Sequence, residues 1–308
     1  MSLQRHETVA NKTGVEPAIA HRQLLLAMSY RMLGSLADAE DATQEAYVRW
    51  LRLSGLERAE VVSPRAWLLK VVGRICLDML TSARARRERY VGEWLPEPAP
   101  AGVWTSHGAT PQSDPSDRIE VAEAVSMALL VVLETMTPAE RVVFVLHDSL
   151  QFTFKEIAAV VGRSPAACRQ LAASARARTH SSRRSEVSAR DLKEAVRAFT
   201  AAWETGDVSR LVAVLDPKVA LVVDSGGRVS APSSVVHGAT DCAQALCSVL
   251  VRQPDVQFEL RSVNGAPGVR AAGADGSSLA VVSFGIDARH ALDVIWVMRN
   301  PAKLVYWN

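Results

Sequence analysis

The sequence predicts a chain of several domains: two all-α domains, the second containing a helix-turn-helix, followed by an α+β domain. Apolar residues recur at helical spacing before residue 91 and again from residue 118, with a proline-rich stretch between them. Near the C-terminus, Asn264-Gly265 and Asp275-Gly276 separate apolar segments and are strong β-hairpin signals. Hydrophobic residues make up 48% of the 308 residues, which excludes a disordered chain.

The expected domain boundaries follow from where these patterns start and stop. They are a flexible N-terminus at 1–18, a helical domain at 19–90, a proline-rich linker at 91–117, a second helical domain at 118–182 and an α+β domain at 186–308. The net charge of +2 hides two basic blocks: residues 65–90 hold seven basic and two acidic residues, and residues 151–185 hold seven and one. Two such blocks indicate two contacts with a polyanion, although either alone would also fit a solvated charged face.

A polar strip marks one helix of the first domain. Within residues 38–50, Ala39, Ala42, Ala46 and Trp50 fall on the inward face of the helix. The outward strip consists of Asp38, Asp41, Gln44, Glu45 and Arg49. Carboxylates and amides on one exposed strip suit a basic helical partner, and a solvated acidic face is the alternative.

The following helix combines an apolar stripe with cations. It begins after Ser63-Pro64, and Trp67 lies on its apolar stripe, so we expect this ring in the core rather than as a platform for bases. The candidate DNA-binding cations of the helix are Lys70, Arg74, Arg84, Arg86 and Arg87. Cations in this arrangement can follow a phosphate backbone.

Residues 152–178 have the pattern of a helix-turn-helix. Thr153 and Glu156 predict a capping box, and Gly162 can adopt the left-handed conformation that a tight turn requires. Ser164 and Pro165 are typical of the start of a second helix. A basic outer face would suit a helix in the DNA major groove, and a helical hairpin with solvated arginines is the alternative.

The second helix of this motif supplies the candidates for reading DNA. They are Arg163, Ser164, Arg169, Gln170, Arg176 and Arg178. Arg169 is the best candidate for a base contact, because it lies on the exposed face near the start of the helix. Arg176 and Arg178 lie farther along and are expected to contact phosphates.

In this order and spacing, the acidic segment 38–50, the helix 67–89 and the helix-turn-helix resemble regions 2 and 4 of bacterial extracytoplasmic-function (ECF) sigma factors. The resemblance covers about residues 20–180. It implies a subunit that binds core RNA polymerase and directs promoter-specific initiation. It also implies that the polar strip docks on the β′ clamp helices, that the basic helix melts and reads the −10 element, and that the recognition helix reads the −35 element.

The linker contains two bulky apolar residues in sequence, Trp94 and Leu95. They must pack against a protein surface or stay exposed to water. This pair belongs to the segment Trp94, Leu95, Pro96, Glu97 and Pro98. Packing against a neighbouring domain is the simplest interpretation. The same segment matches a WLPEP linker motif of the ECF subgroup that carries a SnoaL-like C-terminal extension.

The C-terminal domain reads as helices followed by strands. The expected elements are helices near 188–203, 208–215 and 239–250, and strands at 219–223, 256–263, 268–274, 278–286 and 291–298. An α+β cone with a curved antiparallel sheet is therefore predicted, similar to SnoaL-like domains. Two motifs of the subgroup also have counterparts: Asp224, Ser225, Gly226, Gly227 and Arg228, and then Asn300, Pro301, Ala302, Lys303 and Leu304. Ala302 replaces an aspartate of that motif, which would loosen regulation if the carboxylate helps to hold the extension.

A SnoaL-like domain raises the question of an enzyme. The available acid or base groups are Asp224, His237, Asp287 and Asp293, and none is paired at a recognisable catalytic spacing. We therefore predict no enzymatic activity and no cofactor. A ligand-sensing pocket is predicted instead, lined by Phe199, Trp203, Val223 and Trp296, although a packed apolar core fits these side chains equally well.

The cysteines and the lengths of the apolar runs indicate the cellular compartment of the protein. The four cysteines have no metal spacing and are expected to be buried thiols in a reducing compartment. No apolar run reaches the length of a membrane span, so we expect a cytoplasmic protein. The expected partners are core polymerase and promoter DNA, with no separate anti-sigma factor required. The alternative function is a DNA-binding regulator fused to a small-molecule sensor or SnoaL-type enzyme.

Overall fold

The computed structural model describes residues 21–87, 90–104, 126–181, 188–232 and 234–308. The predicted flexible N-terminus and the beginning of the second predicted helical domain lie outside the described residues. The chain forms two compact units. The first consists of Met1–Arg84, Trp104–Val125 and Thr135–Arg178, and the second consists of Ala85–Val103, Ser126–Glu134 and Thr179–Asn308. Part of the linker and one helix of the second predicted domain therefore fold with the C-terminal domain.

The first unit is helical throughout its described part. Its helices are α1 (Arg22–Leu33), α2 (Leu36–Arg52), α3 (Gly55–Glu60), α4 (Pro64–Arg87, whose last residues enter the second unit), α6 (Pro138–Phe144), α7 (Phe154–Val161) and α8 (Pro165–Ser181, which also extends into the second unit). A π-helical turn, Val145–Ser149, follows α6. The helix α5 (Met127–Glu134) belongs to the second unit.

Local sequence signals set the ends of these helices. Capping boxes formed by a hydroxyl and a glutamate open α3, α6 and α7, because each pair satisfies two free backbone N–H groups. Gly162 ends α7 with φ of 70°, a conformation that costs glycine no Cβ strain. The Ser174 hydroxyl on α8 donates to the Glu140 carboxylate on α6 at 2.6 Å, which fixes these two helices relative to each other.

The second unit is an α+β domain. Its remaining elements are α9 (Ala189–Glu204), α10 (Val208–Val214), β1 (Leu215–Asp224), β2 (Val236–His237), α11 (Ala239–Arg252), β3 (Gln257–Val263), β4 (Ala266–Ala272), β5 (Ser278–Ile286) and β6 (Leu292–Met298). In the described part of the chain the strands form one sheet in the order β2-β1-β6-β5-β4-β3. Register shifts in the pairs β1–β6, β4–β5 and β5–β6 are irregularities of the kind that bend a sheet.

One prediction for this sheet was wrong. The sheet is mixed rather than antiparallel, because β1 runs parallel to β6 with Leu221 opposite Ile295. The hairpin signals predicted the antiparallel pairs β3–β4 and β4–β5 correctly. Pairing direction between strands far apart in sequence depends on which strands become neighbours, and local periodicity carries no such information.

Each face of the sheet has its own apolar cluster. Alternate residues of β6 point to opposite faces: Ile295 packs with the helices α9, α10 and α11, whereas Trp296 packs with linker residue Leu95 and with Met127 of α5. The linker and α5 therefore cover the side of the sheet that the other helices leave open. No helix among the described residues is long and apolar enough to cross a membrane.

Candidate functional sites

The polar strip lies on α2 as predicted. Ala39, Ala42 and Ala46 are fully buried, which turns the opposite side of the helix outward. Asp41 and Gln44 are exposed, and Asp38 is half-buried. Glu45 accepts a hydrogen bond from Arg49 at 2.8 Å, so the cation of the strip is paired within it. The strip therefore presents carboxylate and amide oxygens around one internal ion pair.

Two of the predicted −10 cations have partners within the first unit. Lys70 forms an ion pair with Glu156 of α7 at 3.1 Å. Arg74 donates to the Val160 backbone oxygen at 3.1 Å and lies 3.5 Å from Asp78. The other three predicted cations are on the last turns of α4, and their side chains lie outside the described residues: Arg84, Arg86 and Arg87.

The recognition helix α8 buries its small side. Cys168, Ala172 and Ala175 are fully buried, and the Ser164 hydroxyl caps the helix by accepting from the Ala167 N–H at 3.2 Å. Arg169 and Gln170 are exposed in its first half, and Arg163 is exposed in the turn before the helix. The Arg169 guanidinium also lies 5.7 Å from the centre of the Phe154 ring. This half of the helix therefore presents donors to solvent.

The arginines in the second half of α8 also make contacts within the first unit. Arg176 forms an ion pair with Asp148 at 2.7 Å. Arg178 lies 3.7 Å from the Glu140 carboxylate and donates to the Thr135 backbone oxygen at 3.1 Å. These partners are distant in sequence, so the pattern along α8 could not reveal them. Both arginines stabilise the folded unit in addition to any contact with phosphate.

The linker segment predicted to dock is held by a buried ion pair. The Lys303 ammonium lies 2.8 Å from the Asp224 carboxylate, and the two side chains are 5% and 0% exposed. Lys303 also donates to the Leu95 backbone oxygen at 2.7 Å, and the Leu95 N–H donates to Asp224 at 2.9 Å. The ammonium lies 3.1 Å from the centre of the Trp94 ring, a cation–π contact. The Asp224–Lys303 ion pair therefore binds both the N–H and the C=O of Leu95.

The same linker is held at both ends. The Tyr90 hydroxyl donates to Asp224, and burial together with this hydrogen bond raises the pKa of Tyr90, which keeps the hydroxyl protonated. At the other end, Ala99 and Asn264 exchange hydrogen bonds of 3.1 and 2.8 Å. The Trp307 indole N–H donates to the Pro98 oxygen at 2.7 Å. We refer to residues 90–99 with these contacts as the linker clamp.

The linker clamp explains most of the two C-terminal motifs. Gly226 has φ of 58°, and a Cβ there would clash with the Asn300 amide, which itself donates to Tyr90 at 2.8 Å. A Cβ on Gly227 would lie 3.0 Å from Val91. Leu304 is buried beside Leu95 in the same apolar cluster. The exposed members of the motifs are Gly227, Arg228, Pro301 and Ala302.

Asp224 has contacts that its position after a predicted strand did not reveal. Asp224 ends β1 and is fully buried. Its carboxylate accepts from the Gly226 N–H, as a turn aspartate would, but also from the Leu95 N–H, Tyr90 and Lys303. His237 is exposed on the edge strand β2, and Asp287 binds Arg289 in a turn. None of the four acid–base candidates is among the described residues that line the cavity between the sheet and the helices α9 and α11.

A cavity of about 80 Å³ lies between the sheet and the helices α9 and α11. It corresponds only in part to the predicted pocket. Trp203 and Val223 line it. Phe199 is fully buried in the helix-facing core, and Trp296 lies on the opposite face of the sheet, because strand residues an odd number apart point to opposite faces.

Comparison with known proteins places these features in a family. Residues 19–86 match Sigma-70 region 2, and residues 126–179 match Sigma-70, region 4. The ECF RNA polymerase sigma factor SigJ of Mycobacterium tuberculosis is 36% identical over 92% of this chain and 91% of its own length. The chain belongs to the ECF RNA polymerase sigma factors. The probable ECF sigma factor SigI of the same organism is 39% identical over 67% of this chain and 68% of its own length.

The crystal structure of the M. tuberculosis SigJ shares the architecture of this sigma factor. It matches with a TM-score of 0.74 and 33% identity, and the match covers 95% of this chain and 98% of that one. The predicted fold class is thereby confirmed: helical regions 2 and 4 precede a sheet-containing C-terminal domain. The chain is an alternative sigma factor that directs transcription initiation, and as such it binds core RNA polymerase and promoter DNA.

Proposed function

We propose that the C-terminal domain of this sigma factor sets transcription activity through its hold on the linker. The observation that carries the proposal is the linker clamp, in which Asp224 and Lys303 bind both backbone groups of Leu95. The linker connects region 2 to region 4, so a domain that holds it restricts how these regions move apart. Tethering within one chain gives even a modest contact a high effective concentration. A separate anti-sigma factor is then not required.

We further propose roles for the polymerase and promoter surfaces. The polar strip of α2 binds the β′ clamp helices, since its oxygens complement a basic helical surface. The cations of α4 contact the −10 element, and the exposed half of α8 reads the −35 element. Because Lys70 and Arg74 bind α7, the helix before the recognition helix, we infer that binding to the −10 element requires these contacts to open.

The domain acts in this proposal as a binding module without catalysis. Asp224 is occupied by its ion pair with Lys303, and Asp287 is occupied by Arg289. His237 is exposed, away from the cavity lining. A regulator fused to a SnoaL-type enzyme, the alternative function, would need an acid or base in that cavity.

Run-off transcription with purified core polymerase tests the regulatory proposal. A full-length chain carrying Asn264→Gly and Trp307→Phe loses two side-chain hydrogen bonds to the linker, each worth about 0.5–1.5 kcal/mol. Glycine keeps the left-handed backbone of Asn264, whose φ is 52°. On a genomic template pool, we expect transcript yields to change several-fold, in the same direction as on truncation near Ser185. Arg210→Gln, at an exposed position, is the matched control.

The outcomes of this experiment separate the claims. If neither the linker variant nor the truncation changes transcription, the regulatory role is overturned, while the assignment as a sigma factor stands. Transcription that changes on truncation alone would assign regulation to the domain by a route other than the linker clamp.

Reading of the −35 element gives a second prediction. Arg169→Ala should weaken recognition of preferred promoters by about 1–3 kcal/mol and relax sequence preference, because its exposed guanidinium is placed to contact base edges. Arg163→Ala, at the exposed turn before α8, should weaken binding evenly across sequences. Selection of −35 sequences from a randomised promoter library by the reconstituted holoenzyme measures both. An unchanged sequence preference in Arg169→Ala would contradict the assignment.

A further inference from the structure

The cavity of the C-terminal domain has an apolar interior. It is lined by side chains from α9, α11 and the helix-facing side of the sheet, including Trp203, Val223, Leu246 and Phe258. The Trp203 and Phe258 rings lie 4.3 Å apart between centroids. The Trp203 indole N–H donates to the Leu246 backbone oxygen at 3.1 Å, so this ring offers the cavity no free donor. The interior therefore suits a hydrocarbon or aromatic group.

Two arginines line the same cavity. The Arg299 guanidinium is half-buried and donates to the Ser230 backbone oxygen at 2.7 Å. Arg252 is exposed and donates to the Ser248 hydroxyl at 3.1 Å. Neither guanidinium has a carboxylate partner within the described residues, and the described lining contains no aspartate or glutamate. The wall of an apolar cavity thus carries two positive charges that no carboxylate in the described part of the chain neutralises.

This arrangement is unfavourable for the charge of Arg299. Burial, together with the charge of the nearby Arg252, lowers the pKa of Arg299, so its environment opposes the charge that it carries. A charge taken out of water is destabilising unless a counter-charge and hydrogen bonds compensate it. An anion in the cavity would supply both, because a guanidinium binds a carboxylate through two parallel hydrogen bonds.

We propose that this cavity binds a small organic carboxylate, with the carboxylate on Arg299 and Arg252 and the apolar body against Trp203 and Phe258. The volume of about 80 Å³ is several times the roughly 10–15 Å³ that one water molecule needs, which gives room for a body of about half a dozen heavy atoms. A singly charged head group suits the site better than a phosphate, because a doubly charged ion costs more to transfer from water.

The inference deepens the proposed regulatory role and rests on it only for the biological consequence. Binding is measured on the full chain without polymerase, so its failure would leave the proposed function standing. Failure of the transcription experiment would in turn leave the binding site standing. A carboxylate signal could then reach the linker through the sheet, since Val223 in the cavity precedes Asp224 of the linker clamp.

The test compares acids with isosteric neutral amides. The probes are 3-methylbutyrate, benzoate and phenylacetate, each against its primary amide, titrated into the full chain by saturation-transfer NMR. At least one acid should bind at least tenfold more tightly than its amide. Raising the salt concentration should weaken the binding of the acid and leave the binding of the amide unchanged. Arg299→Gln should reduce the affinity for the acid at least tenfold and change the affinity for the amide by no more than about twofold. A tenfold loss of affinity corresponds to about 1.4 kcal/mol of binding free energy.

Controls keep the outcome interpretable. Arg197→Gln removes an exposed arginine of α9 that does not line the cavity, and it should leave binding unchanged. If circular dichroism shows that Arg299→Gln fails to fold, the exposed Arg252→Gln carries the test with an expected loss of several-fold. Ala245→Leu, which fills the cavity, should abolish binding of acids and amides alike. Equal binding of acids and amides, unchanged acid binding in both arginine variants, or no acid binding at about 10 mM would overturn the proposal.

Discussion

Replacing Lys303 with methionine is expected to destabilise the C-terminal unit by about 3–5 kcal/mol, because it leaves the Asp224 carboxylate buried without its counter-charge. Asp224 is 0% exposed, so water cannot take the place of the ammonium. The variant also loses the hydrogen bond to the Leu95 oxygen. Urea unfolding of the full chain, followed by hydrogen exchange in β1 and β6 peptides, measures the loss.

Two further variants make this expectation specific. Lys218→Met, at an exposed position of β1, should change stability by no more than about 0.5 kcal/mol. Combining Asp224→Asn with Lys303→Met removes both charges and should recover part of the loss, since no buried charge is left without its partner. The recovery should be incomplete, because Leu95 and Gly226 donate to different oxygens of Asp224 and the amide keeps only one of them. A cost for Lys303→Met no larger than that of Lys218→Met would show that the ion pair does not stabilise the unit.

Reversing two charges on the polar strip is expected to abolish binding to core polymerase. Asp41→Lys with Glu45→Lys places cations where the proposed partner is basic, and it also breaks the ion pair with Arg49. Loss of complementary charge pairs typically costs about 2–5 kcal/mol, so affinity should fall by at least about thirtyfold. Biolayer interferometry with immobilised core polymerase measures the change.

Charge-matched controls distinguish the strip from net charge. Glu60→Lys with Glu204→Lys makes the same change in total charge at exposed positions outside the strip, and it should retain binding. Exchanging Glu45 and Arg49 keeps both the ion pair and the total charge of the strip, so only a moderate loss is expected. Wild-type affinity in the Asp41 and Glu45 variant would disprove the assignment of this surface.

Local signals predicted the elements that carry the DNA-binding motif. Thr153 and Glu156 form the expected capping box, and Gly162 takes the expected left-handed conformation. The hairpin between β3 and β4 turns at Asn264 and Gly265, both with positive φ. Such features depend on a few adjacent residues, so their energetics are already present in the sequence.

The partners of buried and charged groups could not be predicted in this way. Asp224 follows a predicted strand, and its ion-pair partner is not nearby in sequence, because the pair with Lys303 spans 79 positions. Lys70 and Arg74 were predicted as DNA-binding cations, yet in the folded unit they contact α7. The two arginines of the cavity gave no signal, because Arg252 ends a helix and Arg299 follows a strand, where single arginines are common.

The sequence by itself determined the order of the domains, the limits of most helices and strands, the family resemblance and the outward strip of α2. These properties follow from periodicity, capping and turn chemistry within about 20 residues. Only the tertiary structure decided that the linker folds with the C-terminal domain, that β1 runs parallel to β6, and that Trp296 faces the linker rather than the cavity. The physical reason is that each of these depends on burial between segments distant in the chain, where many pairings satisfy the local pattern and only packing selects one.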